Sequence, residues 1–205
     1  MKSIAIIAAG LSLLAFASCS QPQPSCDNSI QNEVIENIMS RRSIRKYKPE
    51  AVERETMATI LECGINAPNG MNRQSWEVRV VDDPSVMDKI VAAMAAASPD
   101  VKEEVVRGCF RGAPTMVFIA NDPSYDCSQI DCGLLSENIM LSAWSLGVGS
   151  VCLGSPVRFL KNAPEALGIL DFSEGYQPVI CIGLGYPDEA PDAKPRDPSK
   201  VRFVE

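Results

Sequence analysis

Ser40-Arg41-Arg42-Ser43-Ile44-Arg45-Lys46-Tyr47-Lys48 packs five cations into nine residues of a 205-residue chain with formal net charge −7 and no histidine. So much local positive charge in an acidic protein calls for an anion. The acidic remainder would repel the phosphates of nucleic acid, which argues against a general nucleic-acid binder. A small anionic ligand is left, and a phosphate-bearing cofactor is the natural candidate. Taken alone, the same run also suits the solvated C-terminal end of a helix, where cations complement free carbonyls. Its meaning therefore depends on what surrounds it.

Ile30, Val34, Ile35, Ile38 and Met39 recur at helical spacing, so an amphipathic helix ends near Ser40 and the basic run begins where it stops. Met57, Ile60, Leu61 and Ile65 signal a second helix that Pro68 should stop. From Ser75 to Val81 the residues alternate, Trp76, Val78 and Val80 on one face and Glu77 and Arg79 on the other, as in a half-buried strand. Asp83-Pro84 opens a helix with an N-cap and a proline at the first position, and Ser98-Pro99-Asp100 ends it. Thr115 to Ala120 is a continuous apolar run of strand length.

Between about Ile130 and Leu146 lies a helix apolar on most sides, carrying Leu134, Leu135, Ile139, Met140, Leu141, Ala143 and Trp144. Such a helix is buried on several sides, at the centre of a domain or in a subunit interface. Gly149 to Leu153 and Val179 to Leu184 supply two further strands, separated by a helix around Pro164 to Leu170. Helices and strands interleave irregularly, which predicts an α+β fold rather than a βαβ repeat.

The N-terminus carries one cation, Lys2, an apolar run from Ile4 to Phe16, and then Ala17-Ser18-Cys19. The run is short for a spanning helix, which needs about 20 residues, and fits a secretory signal. Small residues directly before Cys19 resemble a bacterial lipobox, with Phe16 in place of the more usual Leu. The reading is a lipoprotein signal peptide over 1–18, lipidation at Cys19, a Pro/Gln/Ser-rich tether over 19–28 and a folded domain over 29–205. Ser20 after the cysteine, rather than Asp, points to a periplasm-facing outer-membrane anchor in the cell envelope; a cytoplasmic location is the alternative if the run is instead a core helix.

Of the eight cysteines, Cys63, Cys109, Cys152 and Cys181 lie in apolar stretches, where free cysteine acts as a small hydrophobe. Cys127 and Cys132 are near enough in sequence that a bridge stays open. Without histidine or a Cys-x-x-Cys pair, a zinc site is not expected.

Three segments carry the chemistry: Arg41-Arg42-Ser43-Ile44-Arg45, then Ala67-Pro68-Asn69-Gly70-Met71-Asn72-Arg73-Gln74-Ser75-Trp76, then Lys194-Pro195-Arg196 near the C-terminus. Together they resemble the FMN-dependent nitroreductase family, and the resemblance runs from about Glu33 to Val204, including the Gly183-Leu184-Gly185-Tyr186-Pro187 strand end. It implies a central, mostly antiparallel sheet flanked by helices, with the long buried helix at the interface of a homodimer. It also implies an oxidoreductase that moves hydride from a donor such as NAD(P)H, through FMN, to nitroaromatics, quinones or similar electrophiles by a ping-pong cycle. No side chain need act as general acid or base, which suits a chain without histidine.

By that resemblance Arg41, Arg42, Ser43 and Arg45 hold the FMN phosphate, ribityl chain and pyrimidine edge, with Arg45 at the edge where reduced flavin carries negative charge. Guanidinium forks and hydroxyl donors suit a phosphate dianion, and a cation at that edge stabilises the reduced ring. Lys194 and Arg196 match the C-terminal phosphate clamp. In the middle motif Pro68, Asn72, Gln74 and Trp76 are kept, Asn69 replaces a serine and Ser75 a proline, while Gly70 lies between. This loop is implied to reach FMN from the partner subunit. Leu153 and Gly154 fall where a backbone N–H faces flavin N5, a role requiring unobstructed backbone approach.

Two alternatives accompany this reading: a different reaction on the same fold, such as reductive dehalogenation or ene reduction, and a non-catalytic lipid-anchored protein binding FMN or another anion. An exported domain also sits apart from cytoplasmic NAD(P)H, so the signal and the usual donor pull in opposite directions.

Overall fold

The computed structural model describes residues 32–204. The signal peptide, Cys19 and the tether lie outside the described residues. Helix α1 spans Glu33–Ser40, capped by Asn32, whose Oδ1 accepts from the N–H groups of Val34 at 2.9 Å and Ile35 at 3.3 Å. There follow α2 (Arg54–Ile65), β1 (Trp76–Val81), α3 (Pro84–Ala96), α4 (Glu103–Gly108), β2 (Thr115–Asn121), α5 (Ser128–Ser145), β3 (Gly149–Leu153), α6 (Ser155–Leu160), α7 (Pro164–Leu170) and β4 (Gln177–Gly185). Asp83 caps α3 as expected, accepting from Ser85 N–H at 2.8 Å with Pro84 at the first helical position.

The four strands form one antiparallel sheet in the order β1-β2-β4-β3. β2 sits between two partners and is buried along its whole length, so from Met116 to Ala120 its sequence is continuously apolar instead of alternating. One face, through Met116, Phe118, Val151, Leu153 and Cys181, packs with Ile90 and Met94 of α3, Val106 of α4, Leu160 of α6 and Leu170 of α7. The other, through Val117, Ile119, Ile182 and Leu184, packs with Met57 and Ile60 of α2 and with Leu135, Ile139 and Ala143 of α5. The α+β, helix-flanked antiparallel architecture expected from the sequence is the one observed.

Three details differ from expectation. α4 and α6 were not anticipated: each is six residues long, too short for a helical period to stand out, and tertiary packing of Val106 and Leu160 holds them. α5 is buried on only one side, leaving Ile130 and Leu134 exposed. Cys63 and Cys152 are exposed, not core hydrophobes, because they fall on the solvent-facing positions of α2 and β3; Cys127 and Cys132 are both free. Burial, and secondarily the Asp131 carboxylate, pushes the Cys132 thiol up to about 12, so it stays protonated.

The free edge of β3 receives the segment after α1. Ile44 N–H donates to the Ser150 carbonyl at 2.9 Å in a parallel bridge between Ser43 and Ser150. Glycine at 149 permits the approach, since a Cβ there would lie 2.8 Å from Ile44 Cγ1 and 2.9 Å from Pro187 Cγ. Adding that methyl should cost about 1–3 kcal/mol in overpacking, against about 0.5–1 kcal/mol gained by removing a strand glycine. Gly149→Ala is therefore expected to lower stability by roughly 1 kcal/mol in urea unfolding, whereas Gly154→Ala, whose new Cβ meets open space, should stay within about 0.5 kcal/mol.

Candidate functional site

Past α1 the backbone is extended, not helical: Arg41 has φ −55° and ψ 135°, and the chain runs along β3 before crossing the end of β4. Lys48 N–H donates to the Tyr186 carbonyl at 2.9 Å and Asp188 N–H to the Lys46 carbonyl at 3.0 Å. Glu189 accepts from the backbone N–H groups of Arg45 and, at 3.2 Å, Lys46. Tyr47 is held inside this turn with its hydroxyl donating to the Ile44 carbonyl, and burial raises its pKa well above the phenol range. These contacts tie the C-terminal segment to the basic run, which is how residues some 150 positions apart in the chain meet.

They meet at a cavity of about 450 Å³ lined by Arg41, Arg42, Ser43, Arg45, Lys194 and Arg196, together with Glu137 of α5 and Asp192. The volume falls within the range of small-ligand sites. Among the described residues Arg54, Arg79 and Arg107 are each paired with a carboxylate at 3.0 Å or less, whereas Arg42, Arg45, Lys194 and Arg196 form no ion pair. Arg41 has only a loose one, 4.0 Å from Nε to Glu137 Oε1. The Arg42 guanidinium donates to the carbonyls of Met39 at 2.8 Å and Arg41 at 2.9 Å, so it also caps α1. Lys46 and Lys48 do not line the cavity.

The loop from Pro68 to Ser75 is elsewhere. It sits at the start of α5, two helical turns from Glu137, and does not line the cavity of this chain. Met71, Asn72 and Gln74 all have positive φ, at 52°, 54° and 49°. Non-glycine residues held there cost about 1–3 kcal/mol each, less for asparagine, and need local anchors. Asn69 Oδ1 accepts from Gln74 N–H at 3.0 Å, and the Arg73 guanidinium lies 4.5 Å from the centre of the Tyr125 ring. A Cβ on Gly70 would fall on the Tyr125 hydroxyl, so a larger residue there requires the tyrosine side chain to shift. Pro68, Asn72 and Gln74 are exposed and Met71 is 80% exposed.

Leu153 closes β3 with its side chain in the core, so only its backbone is available to a ligand, and Gly154 is exposed at the start of α6. Neither lines the cavity, although the neighbouring Cys152 is close enough to Glu137 for that carboxylate, after burial, to raise its thiol pKa. Sequence reasoning missed Glu137, Asp131 and Glu189. The first two carry the only charges on the 18-residue α5, a signal that was present in the sequence.

An antiparallel sheet sandwiched by helices, with unpaired cations from both ends of the chain meeting at one cavity, defines a protein that binds a phosphate-bearing small molecule. Residues 38–186 match the nitroreductase family, and the chain belongs to it. It is similar to an FMN reductase [NAD(P)H] of Bacillus subtilis (strain 168), 28% identical over 183 residues covering 83% of this chain and 72% of that one. A nitroreductase crystallised with bound FMN from Desulfitobacterium hafniense DCB-2 superposes with a TM-score of 0.76 at 31% identity, covering 86% of this chain and all of that one. Another FMN-bound nitroreductase, from Bacteroides fragilis NCTC 9343, gives 0.76 at 26% identity over 85% of this chain.

Glu137 is the carboxylate that competes for Arg41. Glu137→Gln should tighten binding of a phosphomonoester at the cavity by roughly 0.5–1 kcal/mol, the scale of a partly exposed ion pair, as read by calorimetric titration.

Proposed function

We propose that this chain is an FMN-dependent oxidoreductase that takes two electrons from an NAD(P)H-type donor and passes them to nitroaromatic, quinone or related electrophilic acceptors. The observation that carries it is the convergence of Arg42, Arg45, Lys194 and Arg196, free of ion pairs among the described residues, with Arg41 and Ser43 around one cavity. Guanidinium, ammonium and hydroxyl donors are the set a phosphate dianion and a polyol chain require, so the residues fit FMN. FMN, when bound, supplies hydride acceptance and donation. The chain's part is to bind the phosphate, to set a cation at the electron-rich ring edge through Arg45, and to orient the ring. Membership of the nitroreductase family and the FMN carried by its structural neighbours support the same reading.

A homodimer belongs to this proposal. The apolar side of α1 is uncovered in the single chain, with Val34 66% and Met39 71% exposed, and Ile130 and Leu134 of α5 are open as well. Near the C-terminus Phe203 is 95% exposed. An apolar surface of this kind favours association with a second copy, which would also bring the Asn69–Gln74 loop, separate from the cavity within one chain, to the other subunit's site. Leu153 and Gly154 are assigned to ring contact through their backbones on the same basis.

The purified protein should be yellow or take up FMN stoichiometrically, bleach with NADH or NADPH, and regain colour with menadione or a nitroaromatic. Arg41→Ala and Arg196→Ala should each weaken FMN retention by roughly 1.5–3 kcal/mol, the scale of a charge-assisted contact. Unchanged FMN affinity in both variants would remove the phosphate assignment.

The same proposal holds the domain at the cell envelope through lipid on Cys19. Wild-type protein should then partition with membranes and Cys19→Ala should not; a wild type found wholly in the cytoplasm would overturn the anchor.

A further inference from the structure

Asp131 is 3% exposed, and both oxygens of its carboxylate are engaged: Oδ1 accepts from Gly70 N–H at 3.0 Å, and Oδ2 from the Ser75 hydroxyl at 3.3 Å. Neither partner belongs to its own helix. They are the two ends of the loop whose interior residues, Met71, Asn72 and Gln74, are held at positive φ. A buried carboxylate needs compensation, and here it comes from two loop donors and from the N-terminal first turn of α5. The loop end is also approached from the other side by the Tyr125 hydroxyl, which would have to move to admit a Cβ at residue 70.

We propose that Asp131 is a positioning residue for cofactor binding, clamping both ends of the 70–75 loop so that Asn69, Asn72 and Gln74 present their polar groups in one fixed geometry. This rests on the FMN reading above. The clamp works by removing freedom before binding: a loop already in its bound shape need not be ordered when the ligand arrives. Asp131 itself touches no ligand. Its effect is transmitted by Gly70 and Ser75, the two loop residues its carboxylate holds.

The test compares the wild-type full chain with Asp131→Ala, Asp131→Asn and Ser75→Ala by two measurements. One is FMN affinity from quenching of flavin fluorescence; the other, made without FMN, is the rate of tryptic cleavage after the exposed Arg73. Asparagine can keep both contacts, its carbonyl accepting from Gly70 N–H and its amide donating to the Ser75 hydroxyl. Asp131→Ala should raise the FMN dissociation constant about tenfold and speed cleavage at least about fivefold, because Gly70 N–H loses its buried acceptor. Asp131→Asn should remain within about threefold of wild type in both, a rescue that loss of bulk alone would not give. A folded Asp131→Ala protein with wild-type affinity and cleavage rate overturns the proposal, as does an Asn variant as impaired as Ala. If the Ala variant does not fold, Ser75→Ala, which removes one arm, decides: faster cleavage and weaker FMN binding support the clamp, and no change in either overturns it. A wild type that takes up no FMN refutes the functional reading instead, while the cleavage rates still judge the clamp.

Discussion

The hydrogen bond from Ile44 N–H to the Ser150 carbonyl, 2.9 Å long, decides where the charge in this protein goes. β3 is an edge strand, and an uncovered edge presents a row of unmet donors and acceptors. Covering it with the segment after α1 meets that need and at the same time straightens the basic run into extended chain, so that its arginines lie beside the sheet instead of fraying from a helix end. Glycine at 149 favours the covering, since a Cβ there would crowd Ile44 and Pro187. Edge protection and the lining of the cation cavity are thus accomplished by one stretch of backbone, and the Glu189 carboxylate extends the arrangement to the C-terminal segment.

Electrostatics gives that arrangement its direction. With 26 acidic and 19 basic side chains, cations could readily be neutralised. Arg54, Arg79 and Arg107 are, each by a carboxylate within hydrogen-bonding distance. Exposed pairs of this kind contribute little to stability, typically about 0–1 kcal/mol, so the lack of an ion pair at Arg42, Arg45, Lys194 and Arg196 among the described residues costs little; what distinguishes these four from other unpaired cations such as Lys46 and Arg158 is that they line one cavity. Glu137 moderates the field: at 4.0 Å it is near enough to orient Arg41 and too far to satisfy it.

Much of this was legible in the sequence, and the legible parts share a physical cause. Elements with long apolar periods or strong punctuation, such as α3 with its Asp83-Pro84 start and β2 with its apolar centre from Met116 to Ala120, are legible nearly to their ends because the signal is local. α4 and α6 were not, because six residues cannot express a helical period and their stability comes from contacts distant in sequence. The same division runs through the site. Arg41, Arg42, Ser43, Arg45, Lys194 and Arg196 were named together from a shared resemblance, and the fold does bring them to one cavity. Glu189 leaves no such trace, because it accepts backbone N–H groups, which no side-chain pattern records, while Asp131 and Glu137 stand out as the only charges on α5 without their partners being legible.

Helix α5 accounts for the rest. An 18-residue helix with two charged positions could have buried an uninterrupted apolar face, and each charge near a core costs desolvation unless it finds donors. Asp131 finds them in the 70–75 loop and Glu137 lies by Arg41 at the cavity, so both charges meet partners outside the apolar core. Along α5, Asp131 and Glu137 are separated by six residues of helical rise, about 9 Å, on different sides of the helix. Within one chain, two segments that must each hold a fixed shape are better tied to one packed helix than left to hold themselves as loops.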